Sequence, residues 1–251
     1  MFYISLPFKK DETVNPKKTS HSGMNPDHLK LAVDECSQLL SQELIEATTS
    51  SWTCETFYVN KRLEQVHGKL RLVINYKPLN QFLVDDKFPL PRRKVLFANL
   101  AQAKIFSKFD LKAGFWHLEI HPLERYKTAF CIPQHHYQWT VMSFSLKTAP
   151  SLFQKAMTKI FSPIMENALI YINDILLFSP DETSHKNLLE RFHQIVQQYE
   201  IMLAGKKMTI VTTEVDFLGL HLKDGQYVAQ PHISQKLHNF PDSHLTRKQI
   251  Q

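Results

Sequence analysis

The 251-residue chain has a formal charge of +6, with 43% hydrophobic and 22% charged residues. That profile suits one large domain or two closely packed subdomains with a core of useful size. No stretch reaches the run of about 20 apolar residues needed to cross a bilayer. The N-terminal MFYISLPFKKDETVNPKK lacks the apolar run and cleavage site of a secretory signal. These features predict an intracellular protein with no membrane partner. Cys36, Cys54 and Cys131 are odd in number and widely spaced, which excludes a disulfide framework and a zinc pattern and reads as buried reduced thiols. The basic balance favours a polyanion such as nucleic acid, without identifying one.

In chain order, residues 1–24 read as an extended polar arm with few apolar anchors. Asn25 and Pro26 then open a helix whose apolar residues Leu29, Leu31, Ala32, Cys36, Leu39 and Leu40 carry helical spacing to about Ile45. Residues 48–53 are a loop. Strands over 55–61 and 69–76 form a hairpin around Val66-His67-Gly68. A short helix covers 92–101 after Pro89 and Pro91. Strands follow at 104–110, 117–120, 126–131 and 136–141. Pro150 opens a helix to about Phe161. Short apolar strands at 168–172 and 175–178 flank Asn173 and Asp174, and a helix spans about 183–199. The last strands run over about 214–222, with Lys223-Asp224-Gly225 as a turn. Helices interleaved with mainly antiparallel strands predict an α+β fold rather than a doubly wound sheet.

Two strongly apolar strands carry acids at their ends. One is IFSKFD, ending in Asp110; the other is ALIYINDILLFS, centred on Asn173 and Asp174. A lone acid at a strand end is usually a turn former or a cap. Two such strands side by side would instead hold Mg²⁺ between them, because hard cations take carboxylate oxygens. Paired ions about 3.5–4 Å apart activate a hydroxyl and stabilise a leaving group.

Read in order, longer segments resemble the reverse transcriptases of plant pararetroviruses (the caulimovirus family and their integrated copies), with long-terminal-repeat retrotransposons next. They are GKLRLVINYKPLN at 68–80, DDKFPLPR at 85–92, AKIFSKFDLKAGFWHLEIHP at 103–122 and YKTAF at 126–130. They continue with HYQWTVMSFSLKTAPSLFQKAM at 136–157, YINDILLFS at 171–179 and VDFLG at 215–219. The resemblance implies a polymerase right-hand fold. Its parts would be an arm (1–24), a fingers-like region (25–102), a palm with an antiparallel sheet and part of the fingers inserted (103–240), and a truncated start of the thumb or connection (241–251). It implies that Asp110 and Asp174 are metal ligands, with the Leu111 carbonyl nearby and two Mg²⁺ ions, or Mn²⁺, as cofactors. Phe115 stands at the family's steric gate against a 2′-hydroxyl. Arg71 matches the arginine that contacts the incoming triphosphate, a task suited to a guanidinium fork. Phe144, Lys147 and Gln154 belong to the motif behind the nascent base pair. Lys206 or Lys207 resembles a lysine that protonates pyrophosphate. Phe217, Leu218 and Gly219 resemble the primer grip. The implied partners are an RNA or DNA template-primer duplex, deoxynucleoside triphosphates and the thumb and RNase H parts of a polyprotein. The implied location is the cytoplasm or a virus-like particle.

The chain departs from the family at three places. Asn173 replaces the first acid of YIDD, and Ser143 and Ser145 replace the proline and glycine of MPFGLK. Losing one carboxylate from a metal site predicts a rate lower by about 10²–10⁴-fold. A serine at a glycine position blocks close approach or demands a strained dihedral. By the genetic code each change can arise by one C-to-T or G-to-A transition, the pattern expected of decay in a silent integrated copy; intact relatives at the nucleotide level test this, and a balanced substitution spectrum contradicts it. The sequence therefore predicts an RNA-directed DNA polymerase fragment, weakened or inactive. The alternatives are a non-catalytic nucleic-acid-binding relic and a relic with no molecular role. Phe115 disfavours an RNA-directed RNA polymerase.

Overall fold

The computed structural model describes residues 3–10, 21, 23–60, 70–89 and 97–230. Its elements in chain order are β1 (Tyr3–Ile4), α1 (Pro26–Ser41), β2 (Ile45–Ala47), β3 (Cys54–Asn60), β4 (Leu70–Ile74) and α2 (Lys77–Phe82). There follow β5 (Ile105–Asp110), β6 (Glu119–Ile120), β7 (Phe130–Ile132), β8 (His135–Trp139) and α3 (Ala149–Ile160). The chain continues with β9 (Ala168–Tyr171), β10 (Asp174–Ser179), α4 (Glu182–Gln198), β11 (Thr209–Thr212), β12 (Glu214–Phe217), β13 (Leu220–Lys223) and β14 (Gln226–Ala229). Two compact units result, one from 1–90 with 113–159, the other from 91–112 with 160–251.

In the first unit a five-stranded sheet runs β2-β8-β7-β3-β4. Only β3 and β7 pair parallel; the other pairs are antiparallel. α1 begins where Asn25 Oδ1 accepts from the His28 amide at 2.7 Å, with Pro26 in the first turn, where its missing N–H costs nothing. Its buried face is Ala32, Cys36 and Leu39. The helix stops at Ser41 rather than Ile45. Glu43 takes a left-handed φ of 57°, which turns Ile45 into β2 opposite Trp139.

The N-terminal arm is better anchored than its polarity suggests. Ile4 and Leu6 are buried, and β1 pairs parallel with β6. The buried Lys127 ammonium donates to the Leu6 carbonyl at 2.7 Å and to Glu124 Oε1 at 2.8 Å, and lies 4.3 Å from the Phe8 ring centre. Glu124 Oε2 in turn accepts from the Leu6 amide. The strands expected at 117–120 and 126–131 are shorter, because 3₁₀ turns occupy Gly114–His117 and Pro122–Thr128. Of the helix expected over 92–101, Phe97–Gln102 is a 3₁₀ turn; the rest, like the turn at 66–68 and the segment from 231 on, lies outside the described residues.

In the second unit a four-stranded antiparallel sheet runs β11-β5-β10-β9. Its alternation feeds two layers. One face meets α4, where Phe109 stacks on Phe192 at 4.4 Å. The other carries Phe106, Leu176 and Phe178, clustered with Val215, Phe217 and Leu222 of the β12-β13-β14 hairpins. The Asp224-Gly225 turn closes the last hairpin with both residues at positive φ, as a type I′ turn requires. A Cβ on Gly225 would sit 2.3 Å from the Ala101 carbonyl oxygen.

Candidate active site

Asp110 ends β5 and Asp174 opens β10, directly opposite each other in the antiparallel register. Tyr171 and Asp174 also pair across β9 and β10, leaving Ile172-Asn173 as a two-residue turn. Ile172 has a φ of 52°. A β-branched residue there is strained by roughly 1–2 kcal/mol, and such strain collects at functional turns. The Asn173 carbonyl accepts from the Leu111 amide at 2.9 Å, which ties the turn to the end of β5. Leu111 itself is buried.

The Asn173 side-chain Oδ1 is buried and has no hydrogen-bond partner. An orphaned acceptor is costly and stands ready for a ligand. The Asp110 and Asp174 carboxylates, with the Asn173 amide next to Asp174 in the turn, supply hard oxygens, the donor type that Mg²⁺ takes. These residues fit a divalent cation, though with two formal charges in place of the family's three. Lys207 Nζ already sits 3.1 Å from Asp110 Oδ2. Among the described residues no group of three or more His, Cys, Asp or Glu side chains is placed to hold a metal.

Burial pushes the Asp174 carboxyl above its usual range; the Asp110 charge adds to this, while Lys108 and Lys207 oppose it. Lys108 also donates to the Asp216 carbonyl on β12 at 2.9 Å. On the opposite face of the sheet, Ser107 and Ser179 bracket His185 of α4, each 2.8 Å from one ring nitrogen. The Ser179 hydroxyl donates to the Asp181 carbonyl, and the Val211 amide donates to Ser107 Oγ. One consistent proton chain follows, with Nδ1 as donor and Nε2 as acceptor of a neutral imidazole. At the far end of the apolar layer Phe217 is buried. Leu218 and Gly219, at φ 48° and 82°, turn β12 into β13.

A second cluster lies in the first unit. The Phe115 and Phe144 rings are 5.2 Å apart, Phe153 packs edge-on to Phe115 at 5.1 Å, and the Arg71 guanidinium lies 5.8 Å from the Phe144 ring. Phe115 is buried and Phe144 exposed. Phe144 borders a groove of 320 Å³ that also includes Arg71, Trp116, Ser143 and Ser145; Phe115 packs behind it and does not line the groove. Gln154 is fully buried in α3, with Nε2 directed at Thr158 Oγ1 at 3.5 Å, so it does not join that exposed surface. Ser143 is buried beside the Tyr76 hydroxyl. Ser145 is exposed and keeps an ordinary negative φ; the strain expected of a serine at that position is absent.

The model of the family "Reverse transcriptase (RNA-dependent DNA polymerase)" matches residues 59–222. The chain belongs to the reverse transcriptase family. Among curated relatives of this reverse transcriptase domain, the genome polyprotein of Petunia vein clearing virus (isolate Shepherd) is 59% identical over 250 residues, which is 100% of this chain and 12% of the polyprotein. The enzymatic polyprotein of Cauliflower mosaic virus (strain Strasbourg) is 35% identical, covering 96% of this chain and 35% of the polyprotein. The chain thus spans well under half of either relative. The foamy viral protease-reverse transcriptase solved with an RNA/DNA hybrid has a TM-score of 0.78 at 22% identity, over 92% of this chain and 31% of that one. Its form solved with double-stranded DNA reaches 0.80 at 23% over 95% of this chain and 41% of that one. At that identity these likenesses establish the polymerase fold, with its antiparallel sheets. No helix among the described residues is long and apolar enough to cross a membrane.

Lys108, Ile172 and Asn80 were not singled out from the sequence. Lys108 sits two positions before Asp110, hence on its face of the strand, which is the signal that would have found it.

Proposed function

We propose that this chain is the nucleotidyl-transfer core of a pararetroviral reverse transcriptase, extending a primer on an RNA or DNA template with deoxynucleotides, and that Asn173 weakens its catalysis. The supporting observation is the direct pairing of Asp110 with Asp174 beside the orphaned Asn173 oxygen. Asp110, Asp174 and Asn173 would hold Mg²⁺, which would supply charge stabilisation at the transferred phosphoryl group. The primer 3′-hydroxyl attacks the α-phosphate and pyrophosphate leaves. Lys207 holds a proton at Nζ beside Asp110, placed to neutralise charge as pyrophosphate departs. Arg71 takes the triphosphate, Phe115 excludes a 2′-hydroxyl, and Phe144 and the helix carrying Gln154 support the base. Phe217, Leu218 and Gly219 hold the primer end. In this reading 25–102 acts as fingers and 103–240 as palm with part of the fingers inserted, and the thumb and RNase H parts belong to a longer polyprotein acting in the cytoplasm or a virus-like particle.

A non-catalytic duplex-binding relic is the second reading. It is favoured by the missing charge at Asn173 and by the Lys207 contact, which already neutralises Asp110. Mg²⁺- or Mn²⁺-dependent extension of oligo(dT) on poly(rA), abolished by Asp110→Asn, supports the first reading. Salt-sensitive duplex binding with no extension even at high protein concentration supports the second.

A further inference from the structure

The segment Ser143–Lys147 carries Phe144 on its crown and is fastened from one side by a single amide. Asn80 Nδ2 donates to the Ser145 carbonyl at 3.1 Å, and Asn80 Oδ1 accepts from the Lys147 amide at 3.0 Å. The partners fix the orientation of that amide, since a carbonyl only accepts and a backbone N–H only donates. Both peptide groups flanking Leu146 are therefore set by one side chain, and Leu146 is buried beneath them. Lys147 is tied again through its ammonium, 2.7 Å from Asp85.

Asn80 is itself well held. It lies in α2, its amide donating to the Tyr76 carbonyl at 2.8 Å. Tyr76 is buried, and its hydroxyl donates to the Thr128 carbonyl at 2.6 Å. α2 follows directly on β4, the strand that carries Arg71. Asn80 thus links the strand of the guanidinium to the loop of the ring it faces. The loop has no glycine, and Ser145 keeps an ordinary backbone; these bonds, together with buried Ser143 beside the Tyr76 hydroxyl, hold it.

We propose that Asn80 is a positioning residue that sets the Ser143–Lys147 loop and so presents Phe144 against Phe115 and Arg71 for the incoming deoxynucleotide. The inference rests on the reading of that surface as the nucleotide site. Asparagine is the fitting residue because it offers one donor and one acceptor in a fixed fork. Aspartate would face the Ser145 carbonyl with a second acceptor, and leucine would offer neither.

The test is equilibrium binding of dTTP to the full chain loaded with poly(rA)·oligo(dT), read by tryptophan fluorescence, since Trp116 lies 5.9 Å from Phe144. This readout needs no turnover. Losing both bonds in Asn80→Leu is expected to weaken dTTP binding by about 10–100-fold. Duplex affinity should stay within about 2-fold, since it rests mainly on phosphate contacts. Asn80→Gln, which keeps both functions, should recover part of the loss. If the parent chain binds dTTP and Asn80→Leu leaves that binding unchanged, the inference fails alone. If dTTP and duplex affinity fall together with the melting temperature, Asn80 is merely structural and the inference fails. If the parent binds duplex but no dTTP, the nucleotide reading fails and takes the inference with it.

Discussion

Asp110 and Asp174 face each other as direct cross-strand partners, and burial together with the Asp110 charge pushes Asp174 toward its neutral form. Two like charges opposite each other on one sheet face repel. Folding therefore holds a charge arrangement that serves a cation better than the protein itself. Asp174→Asn should stabilise the metal-free chain at neutral pH, raising the unfolding midpoint by about 1–3 °C, while abolishing any primer extension. Thermal unfolding in the presence of a chelator checks this; a lowered midpoint would show that the Asp174 carboxylate is a net structural asset.

The Lys127 ammonium holds the N-terminal arm, touching Leu6, Glu124 and the Phe8 ring from a buried position. Lys127→Met keeps the stem and removes the charge, leaving half-buried Glu124 with the Leu6 amide as its remaining partner. Breaking a pair with one half-buried member costs about 2–3 kcal/mol, below the range for a fully buried pair. Denaturant unfolding should show a loss of that order, and residues 3–8 should become sensitive to proteolysis. A change near zero would mean that Ile4 and Leu6 hold the arm by apolar burial alone.

His185 is buried as a neutral ring between two serines, and burial lowers its pKa. The unfolded chain then binds a proton more readily than the folded one. The resulting stability is present above the unfolded histidine value of about 6.5 and declines as pH falls below it. The melting temperature should drop between about pH 7 and 5. His185→Gln should be less stable at pH 7 and should show a shallower decline. An unchanged slope would place the acid sensitivity elsewhere, for instance at His117, whose pKa burial also lowers.

The strands bearing Asp110 and Asp174 were legible because short, largely apolar stretches bounded by an acid, IFSKFD and DILLFS, suit buried strands. The Lys223-Asp224-Gly225 turn was legible from its chemistry, since an Asp-Gly pair suits a type I′ turn. α2 was missed because Pro78 reads as a breaker, whereas it occupies the first turn, where proline is tolerated. β11 was missed because it is an exposed edge strand with no inward alternation. The end of α1 was overrun because helical spacing continues past Ser41 while the left-handed Glu43 ends it. Asn80 was out of reach for another reason: its two partners lie 65 and 67 residues away, and no local pattern encodes them. Ser145 was expected to block close approach of a ligand or to strain the backbone, and its φ removes only the second effect. Asn173 is the departure that changes the charge of the acidic cluster.

Restoring the acid at that position tests this account most directly. On poly(rA)·oligo(dT) with Mg²⁺, Asn173→Asp should extend primers faster than the parent chain by about 10²–10⁴-fold, and Asp110→Asn should cancel the gain. Equal rates in parent and Asn173→Asp, with duplex binding intact in both, would contradict the claim that the missing charge at Asn173 limits catalysis.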